Sequence, residues 1–421
     1  NMNDWEIKKC LRLSLAVLLA ALGLVGLASL GFDIPGLRQI VGFIFLTFIP
    51  GILVLRVLKV HNVSVVESLL YSVGLSIAFI YIAGLFANFV LPLIGVSKPI
   101  STFPVTATLA IFTLILGAVA YKRDKDFPSS ARDCFVTRPL TSLRASAHPR
   151  NDRQESKILS LPYLLLILLP ILAIFGAHLV NDYHNNFVLL FLLAVIACVV
   201  ALVAFDRLPK NAYPLAVAMI AISLLFFASL ISANFFGHDI SIEYYFQHIV
   251  LRNGYWDFTI PHNYNTCLSI VSLSPIYSLM LNMDGVWLFK IIYPLFFSLV
   301  PLALFHIFNE QIEAKKAFLA AFFFIAVSGS VLFSQTAAIR SGPAKLFFAL
   351  LILLMIDRKL ALNQRTTLAI IFAISLIMSH YALGYICLAF LIGAWLIVAL
   401  IRSHAGRRAW GWLTHKFGGL P

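Results

Sequence analysis

Two carboxylates, Asp239 and Glu243, stand four residues apart in NFFGHDISIEYYFQHIVLRNGYWDFTIPHNYNT, residues 234–266. If a helix begins by Asp239, that spacing puts both on one face. Paired acids at a membrane surface suit acid/base work on a polar substrate. Nine residues of this stretch are aromatic, interleaved with His238, His248, Arg252, Asp257 and His262. Within 242–251, Ile242, Tyr245, Phe246 and Ile249 recur at i, i+3, i+4 and i+7, one face of an amphipathic helix lying on a membrane. A structural reading stands beside the chemical one. Interfacial aromatics commonly anchor a protein in the bilayer, and Asp239 after Gly237-His238 suits a helix N-cap. Metal ligation by His238, Asp239 or His248 is a weaker signal.

Two further places carry groups of use to such chemistry. Arg340, in SQTAAIRSGPAK, lies between two hydrophobic runs, with Lys345 one turn on. A charge at that depth should face a cavity, a partner or a phosphate, and a guanidinium suits bidentate phosphate capture. Snorkelling to lipid headgroups is the plainer role. His380, in the turn Ser379-His380-Tyr381, either donates to a lipid phosphate or satisfies a helix end.

Something must hold these groups, and composition says what. Of 421 residues, 61% are hydrophobic and only 12% charged, with mean hydropathy +0.94. Soluble domains run about 25% charged. Apolar stretches of ~20 residues recur along nearly the whole chain, each long enough to cross a bilayer. The fold class is therefore all-α: a polytopic transmembrane helical protein. A soluble dinucleotide-binding enzyme, an intrinsically disordered chain and a disulfide scaffold are excluded. Continuous apolar runs also exclude an outer-membrane barrel. The five cysteines form no CxxC pair, which leaves zinc and redox frameworks without support. The net charge of +13 invites nucleic acid. Lys and Arg, however, cluster at the ends of the apolar runs, where anionic membrane lipids are their ordinary partners and nucleic acid is not.

Spanning helices are expected near 11–30, 39–58, 68–91, 102–121, 158–180, 187–204, 214–233, 285–308, 317–334, 343–356, 366–380 and 382–402. The first reads as an anchor without a cleavage site, and Pro50-Gly51 should kink the second. The stretch 267–283 is short, Ser-rich and interrupted by Pro275, so it could span, re-enter or lie at the interface. If it does not cross and the N-terminus is cytoplasmic, about 25 of the 31 Lys/Arg fall on the cytoplasmic side; if it crosses, the split falls to roughly 19 against 12. Charge thus favours twelve spans in a multi-pass cell-membrane protein. Segment 122–157 has nine Lys/Arg, five acids and three prolines. It reads as a basic cytoplasmic linker between a four-helix N-terminal membrane region (1–121) and the remainder (158–421), which carries the outer loop 234–266.

Residues 39–125, with FIFLTFIPGILVLRVL and VVESLLYSVGLSIAFIYIAGLFANF, resemble an uncharacterised, mainly archaeal membrane domain. From about 158 the chain resembles a companion family with features of the GT-C superfamily of membrane glycosyltransferases. The matching feature is helix 214–233 followed by a large outer loop with an early acid, here Asp239 in GHDISIEYYF. The resemblance implies a GT-C-like helical core, sugar transfer on the outer face and a polyprenyl-phosphate-linked sugar donor. It makes Asp239 the base or acceptor-orienting group, with Glu243 its partner. Arg340 and His380, with Tyr381 beside them, would hold phosphate. Tyr244, Tyr245 and Trp256 would stack on sugar, with His238, His248 and Arg252 lining the substrate site. No cofactor is required, and a divalent metal is left unassigned. The superfamily's usual seven-helix core would need 267–283 to cross, against the charge count. Two other classes stay open. A lipid or polysaccharide transporter or flippase needs polar residues at mid-bilayer depth, of which the helices show few. A non-catalytic scaffold would leave the outer loop as an aromatic belt.

Overall fold

Runs of Leu, Ile, Val, Phe and Ala become helices because lipid leaves every backbone polar group to be satisfied within its own segment. The computed structural model describes residues 4–125, 127, 161–235, 237–327 and 339–402. These residues form an all-α, multi-pass membrane architecture with no strand among them. The N-terminal region holds α1 (Ile7–Ser29), α2 (Leu37–Val57), α3 (Val65–Val90) and α4 (Thr102–Asp124). Next come α5 (Leu161–Tyr183), α6 (Phe187–Ala204), α7 (Tyr213–Leu230) and α8 (His238–Asn253). The rest is α9 (Ser274–Leu281), α10 (Gly285–Asn309), α11 (Ala314–Val327), α12 (Ser341–Ile356), α13 (Leu362–Ser379) and α14 (Tyr381–Arg402). Ten of these segments have the length and hydropathy of a membrane crossing. The linker expected over 122–157 lies largely outside the described residues; its first residues continue α4. The tail of the span expected at 317–334 also lies outside them, beyond Val327.

Contacts between helix ends sort the chain into two faces. At one face, the Asn88 side chain bonds the backbone of Trp256 at both its N–H (2.7 Å) and its carbonyl (3.0 Å). The Ile100 N–H donates to Gly254 O at 2.7 Å, and Gly254 closes α8 at φ +76°, where a side chain would be strained. Asn181 donates to Leu230 O. These contacts gather the ends of α3, α5, α7 and α8 with the start of α4. At the other face, Asp4 meets Asn62, Lys315 meets Asp206, and Lys359 meets Glu67 and Glu310. Arg56 and His61 share Asp124 there, at 2.7 and 2.9 Å. These contacts, with those at Asp33, Arg340 and His380, put the two ends of α1 to α4, α6, α7, α10, α12 and α13 at opposite faces, whereas α8 and α9 stay at the first.

The ambiguous stretch resolves on this frame. A π turn, Ser269–Leu273, runs into α9, giving 13 residues, or ~20 Å of helix, too short to cross ~30 Å of hydrocarbon. Both ends lie at the face of α8. Ser269 Oγ donates to Ser379 O, and Arg38 caps the far end through Leu279 O and Met280 O. Segment 267–283 therefore begins and ends at one face and does not cross, the arrangement that the charge count favours. Its serines fit because it is buried on nearly all sides and each hydroxyl finds a carbonyl: Ser269 to Ser379, Ser272 to Ile80, Ser274 to Ile270 and Ser278 to Met283.

α2 continues through Pro50 to Val57. The Gly51 N–H is met by Ser76 Oγ at 2.8 Å, and a Cβ at Gly51 would strike the Ser72 carbonyl of α3. This close approach joins the two helices that brace α9, since Tyr277 bonds Thr47 of α2 and Ser272 reaches α3. The N-terminal region thus supports the segment behind the acid pair.

Candidate functional site

α8 positions the acids, and its start differs from the expectation in one respect. Asp239 is not the N-cap. Gly237 takes that place, and Asp239 lies in the first turn with its carboxylate directed at Arg340. Because the helix starts at His238, Asp239 and Glu243 do share a face. The buried face also differs from the expected apolar stripe. Ile240, Glu243, Phe246, Gln247 and Val250 point inward, while Tyr245 is exposed and Ile242 and Ile249 are half-buried. The reason is Arg340, which supplies a cation inside the protein and so draws a carboxylate inward.

Arg340 precedes α12 and divides its guanidinium among three partners. Nη1 donates to Glu243 Oε1 at 2.5 Å, Nη2 to Asp239 Oδ2 at 3.0 Å, and Nε lies 3.3 Å from His380 Nε2. The Ile339 N–H takes the second Glu243 oxygen at 2.6 Å. Tyr264 completes the clamp, its ring under the guanidinium at 3.8 Å. The Glu243 side chain is fully buried, Arg340 is 8% exposed and Asp239 is 50% exposed. One acid therefore fixes the arginine, and the other opens to the outside.

Their protonation differs for the same reason. Burial pushes the Glu243 carboxyl up, to about 7, against the pull of Arg340 and the Ile339 N–H. For Asp239 slight burial works upward too, but the Tyr264 hydroxyl and Arg340 outweigh it and hold the carboxyl below its ordinary value. Asp239 is thus ionised at neutral pH and accessible, as a base or orienting group must be. Burial, with Arg340 and Lys345 nearby, lowers the His380 ring to about 4 and leaves it neutral. Leu383 N–H approaches its Nδ1 at 3.3 Å while Arg340 approaches Nε2. A neutral imidazole accepts at one nitrogen only, so its tautomer selects between these two donors.

Below His380, Ser379 ties the turn to the core. Its Oγ meets the Tyr81 hydroxyl at 2.7 Å, its carbonyl accepts from Ser269, and Tyr293 bonds the Ser269 carbonyl. Among the expected site residues, Asp239, Glu243, Arg340 and His380 are brought together, and Tyr381 stacks on His380. His238 is exposed beside Asp239. Tyr244 packs among Phe235, Phe289 and His248. The Trp256 indole N–H goes to Asn265 and its ring meets Phe89 and Phe258, so it braces the outer loop. Tyr245, His248 and Arg252 are exposed along α8. Tyr264 and the Ile339 N–H were not singled out in the sequence. Tyr264 sits in the aromatic loop, but no spacing rule links it to Arg340.

The described residues define an α-helical membrane protein with an arginine-clamped acid pair at one membrane-facing end. Comparison with family models, curated proteins and solved structures finds no match to this chain.

Proposed function

We propose that this chain is a membrane glycosyltransferase, transferring a sugar from a polyprenyl-phosphate-linked donor to an acceptor on the outer face. The observation that carries the reading is the unequal acid pair: accessible, ionised Asp239 beside buried Glu243, both held by Arg340. The resemblance to the GT-C superfamily supplies the reaction class. The face of the acid pair is taken as the outer one because the opposite end bears most of the basic residues, including Lys8, Lys59, Lys122, Lys315 and Arg358. The N-terminus is then cytoplasmic.

In this reaction the bond from the anomeric carbon to the donor phosphate oxygen breaks, and a bond from that carbon to the acceptor oxygen forms. Asp239 takes the acceptor hydroxyl proton, and the polyprenyl phosphate leaves with the electron pair. Arg340 has five N–H groups, of which three face Glu243, Asp239 and His380. The reading assigns the remaining two to the leaving phosphate. Neutral His380 orients the guanidinium without adding charge. A donor entering from the bilayer would bring its phosphate to the depth of Arg340, where α8 lies across the helix ends.

The test is product analysis with the purified chain in liposomes, offered a panel of synthetic polyprenyl-phosphate sugars. The expected result is acceptor-dependent release of polyprenyl phosphate from at least one donor. Movement of lipid-linked sugar across the bilayer without release would favour a flippase instead.

A further inference from the structure

Opposite the acid pair, a second group of ligating side chains converges where α3, α10 and the α12–α13 turn meet. Glu67 sits in the first turn of α3 and is 1% exposed; His306, in the last turn of α10, is 8% exposed. Glu310 follows on the α10 cap and is 42% exposed at its side chain. Each offers one ligand atom, and the three atoms lie within 4.8 Å of one another. The Lys359 ammonium stands at the same place, 3.1 Å from Glu67 Oε1 and 3.5 Å from Glu310 Oε1. A cation is therefore already held there, on a long side chain that is 49% exposed and free to swing out.

His306 adds what an acidic cluster alone lacks. Its Nε2 is buried and makes no hydrogen bond, although Glu67 Oε1 is 3.1 Å away, because the approach is poorly angled. The other Glu67 oxygen is committed to the Ser64 N–H at 2.6 Å, which fixes Oε1 toward His306. An imidazole nitrogen and a carboxylate oxygen buried side by side, with Glu310 within reach, are placed as ligands of one shared ion would be.

We propose that Glu67, His306 and Glu310 form a divalent-cation site on this face, in which Lys359 is the competing internal cation. One imidazole and two carboxylates suit Mn²⁺, Fe²⁺ or Zn²⁺ better than Ca²⁺, which takes an all-oxygen shell of six to eight ligands. Metal–ligand bonds of ~2.1 Å require the three atoms to draw in by up to ~1 Å, and exposed Glu310 can supply that movement. Binding displaces Lys359 to solvent. The site ties α3 of the N-terminal region to α10, and it is independent of the sugar-transfer reading.

The experiment measures Mn²⁺ binding to the full chain in detergent, by loss of the free-ion electron paramagnetic resonance signal. Wild type, Lys359→Met, Glu310→Ala and Lys359→Met/Glu310→Ala are compared. Glu67 is left intact because it also caps α3. The proposal expects one Mn²⁺ per chain, held at least about tenfold more tightly in Lys359→Met, where the competing charge is gone. Glu310→Ala should lower affinity in both backgrounds. Absence of stoichiometric binding in Lys359→Met would overturn the site. So would equal affinities with and without Glu310, which would assign the ion to other carboxylates.

Discussion

The Arg340 Nη1 donates to Glu243 Oε1 at 2.5 Å, inside a pair whose acidic member is fully buried and whose basic member is nearly so. The two residues are 97 positions apart, so this contact fixes the start of α12 against the underside of α8. Asp239, one turn earlier on α8, takes the neighbouring nitrogen and stays half-exposed. The geometry of the accessible acid thus depends on the buried one.

Removing the cation from that pair should be more damaging than removing both charges. Arg340→Met leaves Glu243 buried without its partner and should lower stability at pH 8 by about 3 kcal/mol. Arg340→Met/Glu243→Gln leaves neither charge and should regain most of that loss. Unfolding midpoints of the two single variants and the double variant make the cycle. Additive losses would mean that the pair is not coupled.

The pH dependence follows from the direction of the Glu243 shift. Its carboxyl is raised from 4.5 to about 7 in the fold, so between those values the folded chain holds a proton that the unfolded chain has released. Its contribution to stability is therefore present below about 4.5 and is lost as pH rises toward about 7. Asp239 acts with the opposite sign. Its carboxyl is lowered, so its contribution is present above the ordinary carboxylate range and lost in acid. Melting profiles of wild type and Glu243→Gln should diverge across pH 4.5 to 7, with the wild-type curve falling relative to the variant. Parallel curves would contradict the burial-driven shift.

The face assignment can be tested by labelling. In a cysteine-free chain, Ser241→Cys on exposed α8 should react with an impermeant maleimide added outside. Ile312→Cys, in the α10–α11 turn, should react only after permeabilisation. Both positions are exposed. Outside labelling at Ile312 would reverse the orientation or require that 267–283 cross.

Much of this architecture was legible in the sequence, and the illegible parts have physical causes. Apolar runs gave the helices, because lipid imposes both length and hydropathy. The distribution of Lys and Arg separated a turning 267–283 from a crossing one, and thereby put Arg340 and His380 at the face of Asp239. What composition could not show was the inside of α8. Glu243 looks like an exposed helical acid until Arg340, far away in sequence, is known to reach it. Trp256 and Tyr264 are both aromatic residues of one loop. Only the tertiary contacts make the first a brace for the loop, through Asn88 and Asn265, and the second a wall of the site. Asp239 has the residue type of a helix cap, but a nearby cation outcompetes the backbone N–H groups for its carboxylate.

The central claim, that Asp239 serves as the base for sugar transfer, is tested most directly by one substitution. Asp239→Asn keeps the shape of the side chain and leaves the buried Arg340–Glu243 pair in place, but removes the charge and nearly all basicity. Sugar transfer from a polyprenyl-phosphate donor is measured for purified wild type and Asp239→Asn, with thermal stability followed in parallel. A fall of about 10² to 10⁴ in transfer, with little change in stability, is the predicted result. Undiminished transfer by a stable Asp239→Asn protein would contradict it and leave Asp239 as a structural partner of Arg340 only.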